Sequence, residues 1–578
     1  MRISCLLLLS ILLFSERVIA QTFDPFSLFG KGKLFKLNGG VNASMLYNYS
    51  SNSTPGVNPF NYVIGANLNV YVKGINIPFD ISYSNAQFSY RFQPIPFNRI
   101  AIHPKYKIYT LHAGTISLTT SPYTLNGAQF NGAGLEIAPK NWKIMVLGGK
   151  FLKGSGDFLV NPDAQPTYER WGKGLGVSHK FKNHEIGVNV FHAKEDTASA
   201  FNFPVEAGIT PKENIVSSLV GSGSIKGIKY SFEVANSLLT DNLTVLNPFK
   251  SNNLMSRFIS NNSSTRSNYA TNAKLSYLFE KMQLDAGLSF ERVDFNYQTL
   301  GSLYNINGFQ NIGVTANKSF FGGKVNLNGQ LGVQNDLVDD TAISQKSNRL
   351  LASVNASYSP TQKLSFNASY SNTRGVTNVR NLNNIANQNN LIPQFLDSLR
   401  LVQLNQNANF SANYQIVSTA EKNSSANFNY SFQKGDQKQG DFFIDMQGTK
   451  FHNASLNYYT VLPKVDTKWS FGLNYSRTTQ GADSNNIRAV GFNFNFGKKI
   501  FKRKVTLTLG SGYNTTSMAA SASGVNIINF RSTASYVMFK KHVFNYNAIF
   551  QIQSRRKLGS PQTNTSTGAM GLTYNYNF

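Results

Sequence analysis

Apolar and polar side chains alternate with period two through most of the C-terminal half of the chain. Val490, Phe492, Phe494 and Phe496 alternate with Gly491, Asn493, Asn495 and Gly497, and Trp469, Phe471, Leu473 and Tyr475 alternate with Ser470, Gly472, Asn474 and Ser476. Leu364-Phe366-Ala368-Tyr370, Phe428-Tyr430-Phe432 and Leu572-Tyr574-Tyr576-Phe578 repeat the pattern. A strand points successive side chains to opposite faces, so this periodicity predicts strands with one greasy and one wet face. The wet face is Asn, Ser, Thr and Gly rather than charged, and the segments run to about 10 residues or more, which suits a tilted membrane strand better than a soluble sheet.

Connections of two kinds take turns between the strands. Short ones fall at Pro139 to Asn141, Lys182 to His184, Lys226-Gly227, Glu280-Lys281, Gly322-Gly323, Pro360 to Gln362, Thr419 to Lys422, Pro463 to Asp466, Lys499 to Lys502 and Lys540-Lys541, with a further tight turn at Lys73-Gly74. Longer polar loops, such as 240–266 and 375–398, lie between them. Tight turns on one side and long loops on the other are the asymmetry of an outer-membrane barrel. Counting from 34–50 to Phe578 gives 25 segments if 104–118 is included, and a single-chain barrel with both ends in the periplasm needs an even number. Dropping 104–118 leaves about 24. Pro94, Pro96, Pro104, Pro122 and Pro139 fall within 46 residues, whereas only four of 18 prolines follow residue 250, and proline removes ladder donors. Residues 91–129 are therefore expected as a non-wall insertion in the lumen or at its mouth.

Composition supports the same class. Charged residues make up 14% of the chain against about 25% in soluble domains. No apolar run after the first 20 residues approaches the ~18 of a membrane helix, and 27 Tyr with 44 Phe argue against disorder. Met1 and Arg2, an apolar stretch from Leu6 to Phe14 and the small-residue end Val18-Ile19-Ala20 predict a signal peptide over 1–20, with the mature chain starting at Gln21. Cys5 lies within that leader and is the sole cysteine, so disulfides, thiol nucleophiles and cysteine-ligated metals are not expected. Removing Arg2, Glu16 and Arg17 leaves 53 basic and 27 acidic residues, a net charge of +26 that points to anionic lipid or anionic solutes. No basic run with interleaved aromatics suggests nucleic acid.

Taken together, the signal peptide, the aromatic alternating strands and the closing strand Thr567 to Phe578 resemble the outer-membrane β-barrel proteins of Gram-negative bacteria. The resemblance implies an all-β fold, a closed antiparallel transmembrane barrel of about 24 strands over 34–578, after a lead-in over 21–33. It also implies residence in the outer membrane, contact with its lipid and lipopolysaccharide, and recognition of Phe578 by the barrel assembly machinery. TonB-dependent receptors place a plug domain before the barrel and ushers carry separate periplasmic domains; neither has room here. The architecture hosts many activities.

Site chemistry is sparse. His103 and His112 stand near Ser117 and Ser121, and His179, His184 and His192 near Glu185, Glu195 and Asp196, but nothing in the spacing fixes a triad. His184 and His192 would lie ~26 Å apart along one strand at ~3.3 Å per residue, too far for one metal. Asp339-Asp340 and Glu195-Asp196 are weak calcium signals. The chain is therefore read as a non-enzyme with no catalytic, cofactor or metal site. The Gly-rich segment Ser121 to Gly134 is either an anion-approaching loop or one packed to stiffen the barrel. Arg91, Arg99, Lys105 and Lys107, with no Asp or Glu between 81 and 135, form a candidate lumen constriction. The expected function is a passage for solutes or exported chains, anion-preferring and restricted by 91–129. The alternative is a docking barrel with a filled lumen whose loops bind a protein partner.

Overall fold

Each segment with period-two alternation becomes a strand because both of its faces find a suitable solvent, lipid outside and water or packed protein inside. The computed structural model describes residues 35–578 apart from 52–58, 86–97, 158, 161–166, 203–207, 248–253, 303–306, 338–347, 380–398, 440, 441, 444–447, 481–484, 519–522, 540 and 558. Its wall is a closed antiparallel barrel of 26 strands. They are β1 (Phe35–Ser50), β2 (Phe60–Val72), β3 (Ile75–Ser84), β4 (Arg99–Ile102 continuing as Lys105–Tyr106), β5 (Tyr109–Ser117), β6 (Gln129–Ile137) and β7 (Trp142–Leu152). Next come β8 (Glu169–Phe181), β9 (His184–Asp196), β10 (Glu213–Ile225), β11 (Ile228–Thr240), β12 (Thr265–Phe279), β13 (Leu284–Val293), β14 (Phe309–Phe320) and β15 (Val325–Asp336). The rest are β16 (Asn348–Thr361), β17 (Leu364–Val379), β18 (Leu399–Ser418), β19 (Asn423–Gln439), β20 (Thr449–Leu462), β21 (Thr467–Gln480), β22 (Asn485–Ile500), β23 (Val505–Met518), β24 (Ser523–Met538), β25 (His542–Lys557) and β26 (Ser560–Asn577). Each strand pairs with its sequence neighbours, and β1 closes on β26 from Gly40↔Asn577 to Ser50↔Thr567. Closure leaves no open edge, as a wall in hydrocarbon requires.

Register fixes the two faces. Phe494 pairs with Phe471 and Phe496 with Trp469, while Asn493 opposes Gly472 and Gly512. Phe492, Phe494 and Phe496 are exposed on the outer face. There they continue into a girdle of rings near the tight-turn end, where Tyr458–Trp469 (5.2 Å), Phe544–Tyr574 (4.9 Å) and Tyr576–Phe578 (5.3 Å) touch. Such a girdle marks a membrane boundary. Higher on the same face, a groove of about 680 Å³ is lined by Phe232, Leu275, Leu288, Phe290 and Ile312. An outward apolar band with an aromatic rim makes this a transmembrane barrel of the outer-membrane kind. Lysines take the left-handed turn positions that usually go to Gly or Asn: Lys73, Lys107, Lys140, Lys182 and Lys226 all have positive φ.

The 26 strands are close to the expected number of about 24, but the non-wall insertion needs correction. Residues 99–106 and 109–117, expected outside the wall, are β4 and β5. Ala101 pairs with Asp80 on one side and Gly114 on the other, and β5 pairs with β6 from Tyr109↔Ile137 to Ser117↔Gln129. The prolines mislead because Pro104, Pro122 and Pro139 interrupt no ladder donor that is needed. Pro104 stands in the break of β4, and its carbonyl accepts the Leu111 N–H at 2.9 Å; Pro139 is in a tight turn. Parity could not separate the two counts, since one missed turn, Lys107-Ile108, adds two strands and keeps the number even. Pro94 and Pro96 lie outside the described residues. The segment 118–128 does fold inward, and among the described residues of 91–129 it is the part that leaves the wall.

Candidate functional site

The barrel lumen is lined differently on its two sides, and the difference begins with sequence. In Trp171-Gly-Lys-Gly-Leu-Gly-Val177 of β8, the glycines occupy the lumen face, and Gly132, Gly134 and Gly149 do so on β6 and β7. Their missing side chains leave shallow sites that larger neighbours fill. A Cβ at Gly172 would lie 2.6 Å from the Phe151 ring, one at Gly174 would lie 3.2 Å from Leu147, and one at Gly134 would lie 2.5 Å from Leu118. Over this floor the β5–β6 loop (118–128) turns into the lumen, and residues 294–302 of the β13–β14 connection cross it. Leu118, Leu125, Ala128 and Leu300 from the loops bury against Ile116, Phe130, Met145, Leu147 and Phe191 from the wall. Phe130 stacks on Phe151 at 4.5 Å. Tyr297, with Tyr123 packed against it, forms a second cluster on Val216, Ala235, Ala270, Val293 and Phe309.

Hydrogen bonds fix the loops to the wall and to each other. Thr124 Oγ1 donates to Ser218 Oγ at 2.9 Å and Asn189 Nδ2 donates to the same oxygen at 3.2 Å. Tyr123 donates to Glu291 at 2.6 Å, and Tyr297 donates to the Tyr123 carbonyl at 2.7 Å. Burial and the bonded Glu291 carboxylate raise the Tyr123 hydroxyl above the ordinary phenol range, so it remains a donor. Between the loops, Thr299 Oγ1 donates to the Thr124 carbonyl at 2.7 Å and the Asn126 N–H to the Gly301 carbonyl at 3.0 Å. Asn214 accepts from the Leu300 N–H at 3.1 Å. Arg170, paired with Glu195 at 2.6 Å, donates to the Leu300 carbonyl at 3.3 Å. The Gly-rich segment Ser121 to Gly134 is thus a packed loop running into β6.

The opposite wall is wet. From β15 through β19 the lumen face carries Asn328, Asn355, Asn367, Asn409, Asn429 and Ser431 around a recess of about 520 Å³. Asn474, Asn493, Asn495, Asn514 and Asn529 extend it on β21–β24. By register, Lys468, Lys499, Arg531 and Arg555 point to the same side, and among the described residues no acidic side chain of β16–β26 does. Strands ~4.8 Å apart and tilted ~40° give 26 of them a girth near 160 Å, a ring ~50 Å across, against ~10 Å for one packed layer. The loop pair covers one side and cannot fill that span.

The candidate constriction is dispersed. Arg99 and Lys105 face the lumen from β4 and are exposed, Lys107 sits in the Lys107-Ile108 turn with its Nζ 5.1 Å from the Tyr106 ring, and Arg91 lies outside the described residues. Two carboxylates absent from that stretch of sequence arrive on adjacent strands, Asp80 from β3 and Glu136 from β6, beside His103 and His112. The other histidines form no triad. His179, 4.2 Å from Trp142, and His542, 4.6 Å from Tyr576, belong to the girdle, and His184 and His452 bond Tyr230 and Tyr430 on the outer face. His192 pairs with Glu213 at 2.9 Å. Ser121 bonds Thr124 and Ser218 rather than a histidine. Glu195 holds Arg170, Asp196 caps the Ala198 N–H, and Asp339-Asp340 lies outside the described residues.

No family model and no curated protein matches the chain by sequence. Solved barrels match its path at low identity. The FrpB iron transporter from Neisseria meningitidis aligns at 11% identity with a TM-score of 0.40, covering 95% of this chain and 82% of that one. The P pilus usher PapC translocation pore aligns at 10% and 0.33, covering 94% and 99%. OccAB2 of Acinetobacter baumannii aligns at 10% and 0.27, covering 68% and 98%. What this chain does must be argued from its own lumen.

Proposed function

We propose that the chain is a non-enzymatic passage for hydrophilic solutes or exported chains across the outer membrane, narrowed by the docked segments 118–128 and 294–302 and preferring anions. The observation that carries this reading is the one-sided lumen: loops packed on β5–β14, and an amide-lined, basic wall on β16–β26. Water-filled polar lumens conduct, and fixed cations along a pore wall raise local anion concentration. Lys468 and Arg531 contribute to that preference, joined by Arg99 and Lys105 on β4. Reversal potentials under a salt gradient test it. Arg531→Glu with Lys468→Glu should shift selectivity toward cations; unchanged selectivity would remove the anion preference while leaving the passage. The covered face of β5–β14 favours a second reading, in which the loops are a platform for a protein partner. A stable partner co-purifying with a barrel that never conducts would favour that reading.

A further inference from the structure

His103 and His112 are the two histidines on the lumen face, and they meet across the β4–β5 pair with Nδ1 atoms 2.8 Å apart. Each imidazole is backed by a carboxylate at its far nitrogen. His103 Nε2 lies 3.6 Å from Asp80 and His112 Nε2 lies 3.7 Å from Glu136. Both contacts are longer than a hydrogen bond, and His112 Nε2 has no hydrogen-bond partner, but a carboxylate on that side favours the proton at Nε2 and so leaves the Nδ1 lone pair to ligate. Lumen water reaches the pair, with 25% of the His103 and 13% of the His112 side chain exposed. We propose that His103 and His112 bind an imidazole-preferring divalent transition-metal ion between their Nδ1 atoms.

The spacing favours a tetragonal ion. Bonds of ~2.0 Å meeting at ~90° hold two nitrogens ~2.8 Å apart, the spacing of 2.8 Å seen here, whereas a tetrahedral angle needs ~3.3 Å. Copper(II) and nickel(II) adopt the former geometry, and copper stands highest in intrinsic affinity. With ring centroids 5.0 Å apart the imidazoles face each other end-on around a shared proton. To admit an ion that proton leaves to solvent, and both rings turn until each Nδ1 lone pair lies ~45° off the line between the two nitrogens, as bonds meeting at ~90° require. Asp80 and Glu136 then balance the added charge. Among the described residues no group of three or more His, Cys, Asp or Glu side chains is placed to hold a metal, so water or a lumen solute completes the coordination. The site also ties β4 to β5, where backbone pairing is shortest: Ala101↔Gly114 and Ile102↔Ala113, then Lys105↔Thr110 and Tyr106↔Tyr109.

Copper(II) titration of the chelator-treated full chain in detergent tests this, whether or not the lumen conducts. One saturable site per chain is expected, with two imidazole nitrogens in its electron paramagnetic resonance spectrum. His103→Ala and His112→Gln should abolish it, and His184→Ala and His452→Ala should leave it. Asp80→Asn and Glu136→Gln should weaken it by about 10- to 100-fold, as loss of an orienting partner does. Heat-modifiable gel mobility checks that each variant folds, and His112→Gln retains a polar partner for His103. No saturable copper in the wild type, or equal binding by a folded His112→Gln chain, overturns the site and leaves a proton-sharing pair.

Discussion

Truncating Leu125 tests whether the β5–β6 loop is held in the lumen by its own small core. The side chain is fully buried among Leu118, Phe130, Leu147 and Phe191. Leu→Ala in such a site costs about 2 to 5 kcal/mol through lost transfer energy and the cavity left behind. The barrel ladder does not involve this residue, so the cost falls on docking of the loop rather than on global unfolding. At ~1.4 kcal/mol per factor of ten, a 3 kcal/mol loss raises the undocked fraction by about two orders of magnitude. Amide hydrogen exchange reads it directly. The Thr120, Thr124 and Asn126 N–H groups bond the Leu125, Ser121 and Gly301 carbonyls. In Leu125→Ala their protection should fall about 100-fold while β20–β25 amides keep theirs. Unchanged protection at 120–126, or equal loss across the wall, would refute the argument that a local core holds this loop.

Three further outcomes follow from the geometry. Gly301→Ala places a Cβ 2.8 Å from both the Phe191 ring and the Thr124 carbonyl, and the backbone contact cannot yield cheaply, so loop protection should fall as in Leu125→Ala. Phe494→Arg puts a charge on the lipid face at a cost of ~2 to 4 kcal/mol near the midplane, whereas Asn493→Arg faces water, so refolding into lipid vesicles should fail or lag only for the former. Gly172→Val should disturb the loops through Phe151, 2.6 Å from the new Cβ, by about 1 to 3 kcal/mol, read as lower protection at 118–128 with the strand ladder intact.

The barrel was legible because lipid on one side and a polar lumen on the other impose a strict two-residue period, clearest at Trp469–Tyr475 and Val490–Gly497. The strands that escaped notice are those where this contrast fails. β4 is broken at His103-Pro104, and β5 places Thr110, His112 and Gly114 on the lumen side, with its turn marked only by Lys107 in the left-handed region. A lysine at that position recurs at Lys73, Lys140, Lys182 and Lys226, and that shared feature was the available signal. Proline density pointed the wrong way because prolines gather at breaks and turns as readily as in non-wall segments. The lumen core was hidden for another reason: Phe130, Leu147 and Phe191 face inward on strands whose alternation is filled by glycine, so apolar residues occur on both faces. The site on β3–β6 needs register, since Asp80, His103, His112 and Glu136 meet only through cross-strand pairing.

Single-channel conductance in planar bilayers tests the central claim most directly, comparing the wild-type chain with one in which 119–127 is replaced by a short Gly-Ser linker that leaves β5 and β6 intact. A lumen filled on one side by a docked loop predicts that both proteins conduct and that the shortened one carries the larger unit conductance. Two folded proteins that both insert and never conduct would contradict the passage and leave a barrel built to dock a partner.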